Sequence, residues 1–92
     1  MTTVKNVLRK IARVEKFDVK FKHPSGRDIN DNKDNVPTYK YSNMARDAIT
    51  VSTWKAQRFR PNYPGFNIDV LNGDRSPVAG NTLLSSVRAS YP

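Results

Sequence analysis

The chain has 92 residues, with sixteen lysines and arginines against eight aspartates and glutamates, and a formal net charge of +8. This length favours a single domain, residues 1–92, with one hydrophobic core. It contains no cysteine, which excludes disulfides and thiolate metal sites. No apolar run is long enough to span a membrane and no signal peptide is visible, so the sequence predicts a cytoplasmic protein.

The positive charge is concentrated in the first half of the chain. Residues 1–46 hold eleven basic and five acidic side chains, a net of +6, whereas residues 47–92 hold five and three, a net of +2. Such an asymmetry favours a polyanionic partner, namely nucleic acid, an anionic lipid surface or an acidic protein.

The N-terminal segment predicts an amphipathic helix. Four apolar residues follow the i, i+3, i+4, i+7 spacing of a buried helical face: Val4, Val7, Leu8 and Ile11. A basic row occupies another face: Lys5, Arg9, Arg13 and Lys16, with Glu15 as the one intervening acid. Like charges at i, i+4 destabilise an isolated helix by about 0.2–0.5 kcal/mol per pair, so the row predicts an anionic partner.

A strand is predicted directly after this helix. Phe17, Val19 and Phe21 alternate with polar residues up to Lys22, as in a strand with one buried face. A turn at 23–26 ends it. We expect the helix to fold back across the sheet and bury its apolar face there.

Residues 24–37 form a predicted polar loop rich in aspartate and asparagine. Asp28, Asn30 and Asn32 have the spacing of calcium ligands, but Lys33 stands where a calcium loop needs glycine and Tyr39 where it needs glutamate. We therefore expect no metal there and interpret the segment as a solvated, mobile loop. Its length also favours a functional role.

The middle of the chain carries a second basic cluster. After a short extended segment at 38–41 and a helical turn at 44–48, a helix is predicted over 53–59, capped by Thr50 or Ser52 and ended by Pro61. Three cations, Lys55, Arg58 and Arg60, alternate there with aromatic residues.

These aromatic residues have two interpretations. Cations beside exposed rings are typical of single-stranded nucleic-acid recognition, with Trp54 and Tyr63 as possible stacking rings. The alternative is that the rings belong to the core, which the scarcity of large apolar residues favours for Trp54 and Phe59. Tyr63, in a turn between Asn62 and Pro64, fits either role.

The C-terminal third predicts a hairpin. Phe66, Ile68 and Val70 alternate as in a strand, Asn72-Gly73 is typical of a type I′ turn, and 75–79 would return as an edge strand because of Pro77. Residues 82–88 fit a helical turn, whereas 87–91 fit a final strand. Together the elements predict an α+β fold: an N-terminal amphipathic helix packed on a three- or four-stranded antiparallel sheet, with a short central helix.

Catalysis is not predicted. His23 is the only histidine, no nucleophile–histidine pair can be assembled, and the glycines form no phosphate-binding loop. Aspartates 28, 31 and 34 all lie in one loop, which is a weak basis for a metal-dependent nuclease. We expect neither enzymatic activity nor a cofactor.

The sequence instead predicts a small basic binding module that contacts nucleic-acid backbone, DNA or RNA, with little sequence specificity. The predicted polyanion-binding residues are Lys5, Arg9, Lys10, Arg13, Lys16, Lys20, Lys22, Lys55, Arg58 and Arg60. An alternative is an adaptor, or an inhibitor of the phage or mobile-element type, that docks the same face on an acidic protein. An anionic membrane ranks third, because the apolar helix face lacks tryptophan and phenylalanine.

Overall fold

The computed structural model describes residues 1–91. Its helices and strands, in chain order, are helix α1 (Val4–Glu15), strand β1 (Asp18–Lys22), helix α2 (Val51–Trp54) with a π-helical continuation (Lys55–Phe59), strand β2 (Asn67–Leu71) and helix α3 (Leu84–Ala89). The protein therefore has an α+β architecture with a two-stranded antiparallel sheet.

Helix α1 follows its sequence pattern. The Thr3 side chain caps it by accepting a hydrogen bond from the Asn6 N–H at 3.2 Å, and Lys16 ends it in the left-handed conformation. Val4, Val7 and Ile11 are buried, in the same hydrophobic cluster as Val19 and Phe21 of β1, whereas Leu8 is half-buried. The predicted helix and its buried face are confirmed. That this helix crosses the sheet stays a prediction.

The predicted polar loop is attached to the start of α1 through its backbone. The N–H groups of Val4 and Lys5 donate to the carbonyls of Lys33 and Asp31, each at 2.9 Å, and Thr2 pairs with Val36 in an antiparallel bridge. These bonds supply acceptors for N–H groups that a helix N-terminus leaves unpaired. The loop exposes its aspartates and asparagines, while Ile29 and Val36 are buried.

The sheet consists of β1 and β2, as the alternating patterns predict. Asp18 faces Leu71 and Lys22 faces Asn67 across the antiparallel pair. The buried side chains of the pair are Val19, Phe21, Ile68, Val70 and Leu71. The alternation of apolar and polar residues thus placed both strands correctly.

The prediction of three or four strands is wrong for the described residues, which contain two. Segment 38–41 forms no strand, and segment 75–79 makes only an isolated bridge between Leu71 and Pro77, beside a bond from the Val78 N–H to the Val70 carbonyl at 3.0 Å. Because proline has no N–H, Pro77 cannot donate to a ladder, which weakens pairing along this segment.

The turn after β2 also differs from its prediction. Asn72 accepts from the Arg75 N–H at 2.8 Å, and Arg75, with φ 69°, is the residue in the left-handed region. This geometry belongs to a three-residue loop and not to a type I′ turn. Gly73 is required for another reason, since a Cβ there would lie 2.1 Å from the Ser90 carbonyl oxygen.

The helices of the second half settle four expectations. Thr50 caps the central helix by accepting from the Thr53 N–H at 3.2 Å, but the helix starts at Val51, and residues 44–48 form none. Its continuation is π-helical, and Arg60 keeps helical geometry before Pro61 by donating to the Lys55 carbonyl at 2.9 Å. The ambiguous C-terminal segment is helical, as α3. No helix in residues 1–91 has the length and apolar character needed to cross a membrane.

Candidate functional site

Five of the ten predicted polyanion-binding residues lie on or directly after α1. They are Lys5, Arg9, Lys10, Arg13 and Lys16, and none of them forms an ion pair within residues 1–91. Lys10 is half-buried and the other four are exposed. Their charges are therefore available to a partner.

Three of these cations line one groove. The groove, with a volume of about 280 Å³, lies between α1 and the segment that holds Thr38 and Tyr39. The helix contributes Asn6, Arg9, Lys10 and Arg13, whose i, i+3, i+4, i+7 spacing forms one stripe, together with Val7 at its edge. Thr2 also lines it, and no acidic side chain does.

The groove combines charge with neutral hydrogen-bonding groups. Two guanidinium groups and one ammonium group supply fixed positive charge, and guanidinium matches the oxygens of phosphate or carboxylate in pairs. The Asn6 amide donates to the Thr2 hydroxyl at 2.9 Å, so these two side chains hold each other in place. Together these donors can bind an anionic oxygen.

The two strand cations share one carboxylate. Lys20 and Lys22 lie 2.9 and 2.5 Å from the oxygens of Asp28, and Lys22 lies 3.9 Å from Asp69. Hydrogen bonds from Lys22 and Lys20 lower the pKa of Asp28 to about 2, and the same bond to Asp28 raises the pKa of Lys22. Asp28 thus partly neutralises the predicted continuation of the basic surface onto β1.

The second basic cluster does not form an exposed patch. Lys55 is half-buried, and that burial, helped by repulsion from Arg60, lowers its pKa. Arg58 turns inward to Glu15, with 2.7 Å between Nη1 and Oε2. Arg60 remains exposed. The prediction that Arg58 is free to contact a polyanion is therefore corrected, because a buried carboxylate already binds its guanidinium.

The predicted stacking rings are also unavailable. Trp54 is 0% and Tyr63 1% exposed, and Trp54 meets Phe17 edge to face with 5.2 Å between ring centroids. Phe59 packs against Phe21 in the same way. The core interpretation holds for Trp54 and Phe59, and it extends to Tyr63. A base cannot stack on a ring that lies in the core.

Glu15 was not anticipated as an important residue. Its carboxylate is 0% exposed and accepts hydrogen bonds from the Tyr39 hydroxyl at 2.6 Å, the Ala45 N–H at 2.8 Å, Arg58 at 2.7 Å and Arg88 at 3.3 Å. We call these five residues the Glu15 cluster. It joins α1 to segment 39–45, the π-helical turn and α3.

Within the Glu15 cluster, contacts with Glu15 contribute to raising the pKa of both Arg58 and Tyr39. Burial alone would lower the pKa of Arg58, but its hydrogen bond and attraction to Glu15 outweigh that effect and raise the pKa. Burial, and then the bond to Glu15, raises the pKa of Tyr39. Since Tyr39 also lines the basic groove, the cluster fixes the groove wall opposite Arg9 and Arg13. The available sequence signal was that Glu15 lies four residues after Ile11, on the apolar face of the helix.

The other clefts are less suited to a polyanion. One of them, about 380 Å³, places Lys16 and Arg88 beside Asp18, Phe17 and Tyr91. A third includes Arg9 and Arg75 but also Asp18, which lies 3.7 Å from Arg75. No cluster of three potential metal ligands occurs in the part of the chain that the structure describes, including the polar loop.

Comparisons of the chain with protein-family models, with curated proteins and with solved structures give no match. The groove beside α1 is accordingly interpreted from its own geometry.

Proposed function

We propose that this protein is a small, non-enzymatic binding module that engages nucleic-acid backbone with little sequence specificity. The observation that carries the proposal is the groove beside α1, where Arg9, Lys10 and Arg13 converge with no acidic side chain in the lining. Lys5 and Lys16 extend the same positive charge to the two ends of the helix.

Bound phosphate would relieve a cost that the free protein carries. Lys5, Arg9 and Arg13 are spaced i, i+4 along α1, and each like-charged pair costs about 0.2–0.5 kcal/mol. Within residues 1–91 no carboxylate pairs with any of the three. An anion in the groove would remove this repulsion and release counterions from the nucleic acid, which drives such association.

Low sequence specificity follows from the kind of contact. Phosphate contacts fix position but carry no sequence information, whereas base readout needs side chains that reach base edges. The donors that line the groove are two guanidinium groups, one ammonium group and neutral polar side chains, all of which can bind a backbone oxygen.

Salt titration with matched variants tests the proposal. Fluorescence anisotropy of a labelled random-sequence DNA, as single strand and as duplex, should show binding at 50 mM salt. Arg9→Gln/Arg13→Gln should then weaken it and reduce the slope of log K against log[salt] by about 1.4–1.8, for two lost contacts. Arg27→Gln/Arg46→Gln removes two exposed charges that do not line the groove, and it should change the slope less.

Circular dichroism of each variant separates lost binding from lost folding. Both arginines of the groove variant are exposed, so its spectrum should match that of the unmodified protein. If neither DNA binds at 50 mM salt, the proposal fails. Recovery of one stoichiometric acidic protein by the unmodified chain, abolished in the groove variant, would replace nucleic acid with an acidic protein surface as the partner.

A further inference from the structure

We propose that the preferred partner is duplex nucleic acid and that single strands bind less tightly. This inference rests on the proposed function and narrows it. It sets aside one of the two interpretations of the sequence, in which the alternation of cations with Trp54, Phe59 and Tyr63 is typical of single-strand recognition.

The burial of the aromatic rings disfavours single-strand binding. None of the nine aromatic side chains, all within the described residues, is exposed. Six are buried, namely Phe17, Phe21, Tyr39, Trp54, Phe59 and Tyr63, and three are half-buried, namely Tyr41, Phe66 and Tyr91.

The half-buried rings are already engaged. Tyr91 accepts a hydrogen bond from the Asp18 N–H and donates one to the Leu71 carbonyl. Phe66 packs on Phe21 with 5.8 Å between centroids. The Tyr41 ring has the Arg58 guanidinium 4.4 Å from its centroid and Lys40 at 5.4 Å. A single strand thus finds no fully exposed ring, and each missing stacked base removes a factor of about 5 to 150 in affinity.

The higher phosphate charge density of a duplex also favours duplex binding. A duplex carries one phosphate charge per roughly 1.7 Å of its axis, about twice the density of either of its strands. Cations spaced i, i+4 on α1 recur about every 6 Å along the helix axis, from a rise of about 1.5 Å per residue. Without stacking, affinity depends on counterion release, which is greater per contact for a duplex than for a single strand.

The rigidity of α1 favours a duplex as well. The backbone of α1 is fixed at its start by the Thr2–Val36 bridge and at its end by the buried Glu15 carboxylate. The cations therefore stand on a preformed row that suits the regular phosphates of a duplex. A flexible single strand must lose conformational freedom to match the same row, and it gains no stacking in return.

The test compares one labelled 20-nucleotide DNA of mixed sequence with the same strand annealed to its complement, between 50 and 200 mM salt. If all five cations on or directly after α1 contact phosphate, the slopes of log K should be about −4.5 for the duplex and −3.5 for the single strand. With equal affinities extrapolated to 1 M salt, the duplex preference should be about 20-fold at 50 mM and about 5-fold at 200 mM.

The outcomes separate the two proposals. Equal or tighter binding of the single strand overturns the duplex inference and leaves nucleic-acid binding in place, whereas no binding of either DNA overturns both. Tyr41→Leu gives a second measurement, because Tyr41 is the half-buried ring beside Arg58. It should leave the single-strand affinity within about twofold, and a loss of fivefold or more would reveal stacking and refute the inference.

Discussion

Neutralising Glu15 should destabilise the protein more than any change at an exposed acid. In Glu15→Gln the side chain keeps its shape and one acceptor oxygen, but an amide NH₂ replaces the other oxygen. That NH₂ then faces donors, since Tyr39, Ala45, Arg58 and Arg88 all donate to the carboxylate. Two guanidinium groups lose their buried counter-charge.

The expected loss of stability depends on the exposure and the other hydrogen-bond acceptors that each arginine keeps in the variant. Breaking a fully buried ion pair by removing one partner costs about 3–5 kcal/mol. Here Arg58 is 20% and Arg88 10% exposed, and each retains another acceptor, the Asn43 carbonyl and the Asp47 carboxylate, both at 2.6 Å. We therefore expect about 3 kcal/mol, the low end of the range. Domains of this size have a total stability of about 5–14 kcal/mol.

Urea denaturation followed by the fluorescence of Trp54 provides the measurement. Trp54 is the only tryptophan and is buried against Phe17, so its emission reports on the core. A loss of about 3 kcal/mol lowers the urea midpoint by about 1–3 M, for slopes of about 1–3 kcal/mol per M. Asp34→Asn makes the same chemical change at an exposed acid and should shift stability by less than about 0.5 kcal/mol.

A cost below about 1 kcal/mol for Glu15→Gln would refute the reasoning, because the cluster would then not depend on the carboxylate charge. A double-mutant cycle with Arg58→Met tests the Glu15–Arg58 ion pair itself. The double variant should lose less than the sum of the two single changes, with a coupling of about 0.5–3 kcal/mol.

Further predictions concern three single side chains, Tyr39, Tyr63 and Asp28. Tyr39→Phe should cost about 1.5–3 kcal/mol in urea denaturation, since it removes a hydrogen bond to a charged, buried acceptor, whereas Tyr63→Phe should cost nothing or stabilise. The Tyr63 hydroxyl has no hydrogen-bond partner in residues 1–91, and its burial raises its pKa to about 12; a loss above about 1 kcal/mol there would contradict this assignment. Asp28→Asn should tighten DNA binding in the anisotropy assay, because it removes the carboxylate charge that Lys20 and Lys22 share; unchanged affinity would show that β1 takes no part. The lowered pKa of Asp28 sets the pH dependence of its ion pairs. Their contribution to stability is complete above pH 3.8 and is lost as the pH falls through about 2. NMR titration of the Asp28 carboxyl carbon can follow this loss.

The local elements were predictable where a single periodicity dominated. The helical spacing of Val4, Val7 and Ile11 and the alternation around Phe21 and Ile68 each identify one buried face, and the structure has α1, β1 and β2 there. The Thr50 cap was predictable for a similar reason, because the capping bond spans only three residues.

Predictions that depended on distant contacts were less successful. Gly73 was assigned to a tight turn from its neighbour Asn72, but its actual constraint is the Ser90 backbone, seventeen residues away. Segment 75–79 pairs only through an isolated bridge at Pro77, so the sheet has no third strand within the described residues. Local patterns contain no information on such approaches.

The sequence by itself determined that the protein is strongly basic, that its first helix carries a row of cations and that its fold is α+β. Only the tertiary structure decided which charges are free. Arg58 and Arg9 are both arginines that the sequence predicts to bind a polyanion, yet one binds the buried Glu15 and the other has no ionic partner in residues 1–91. The physical reason is that pairing and burial depend on which segments pack together. Those contacts join residues as far apart as Glu15 and Arg88, beyond the reach of any local pattern.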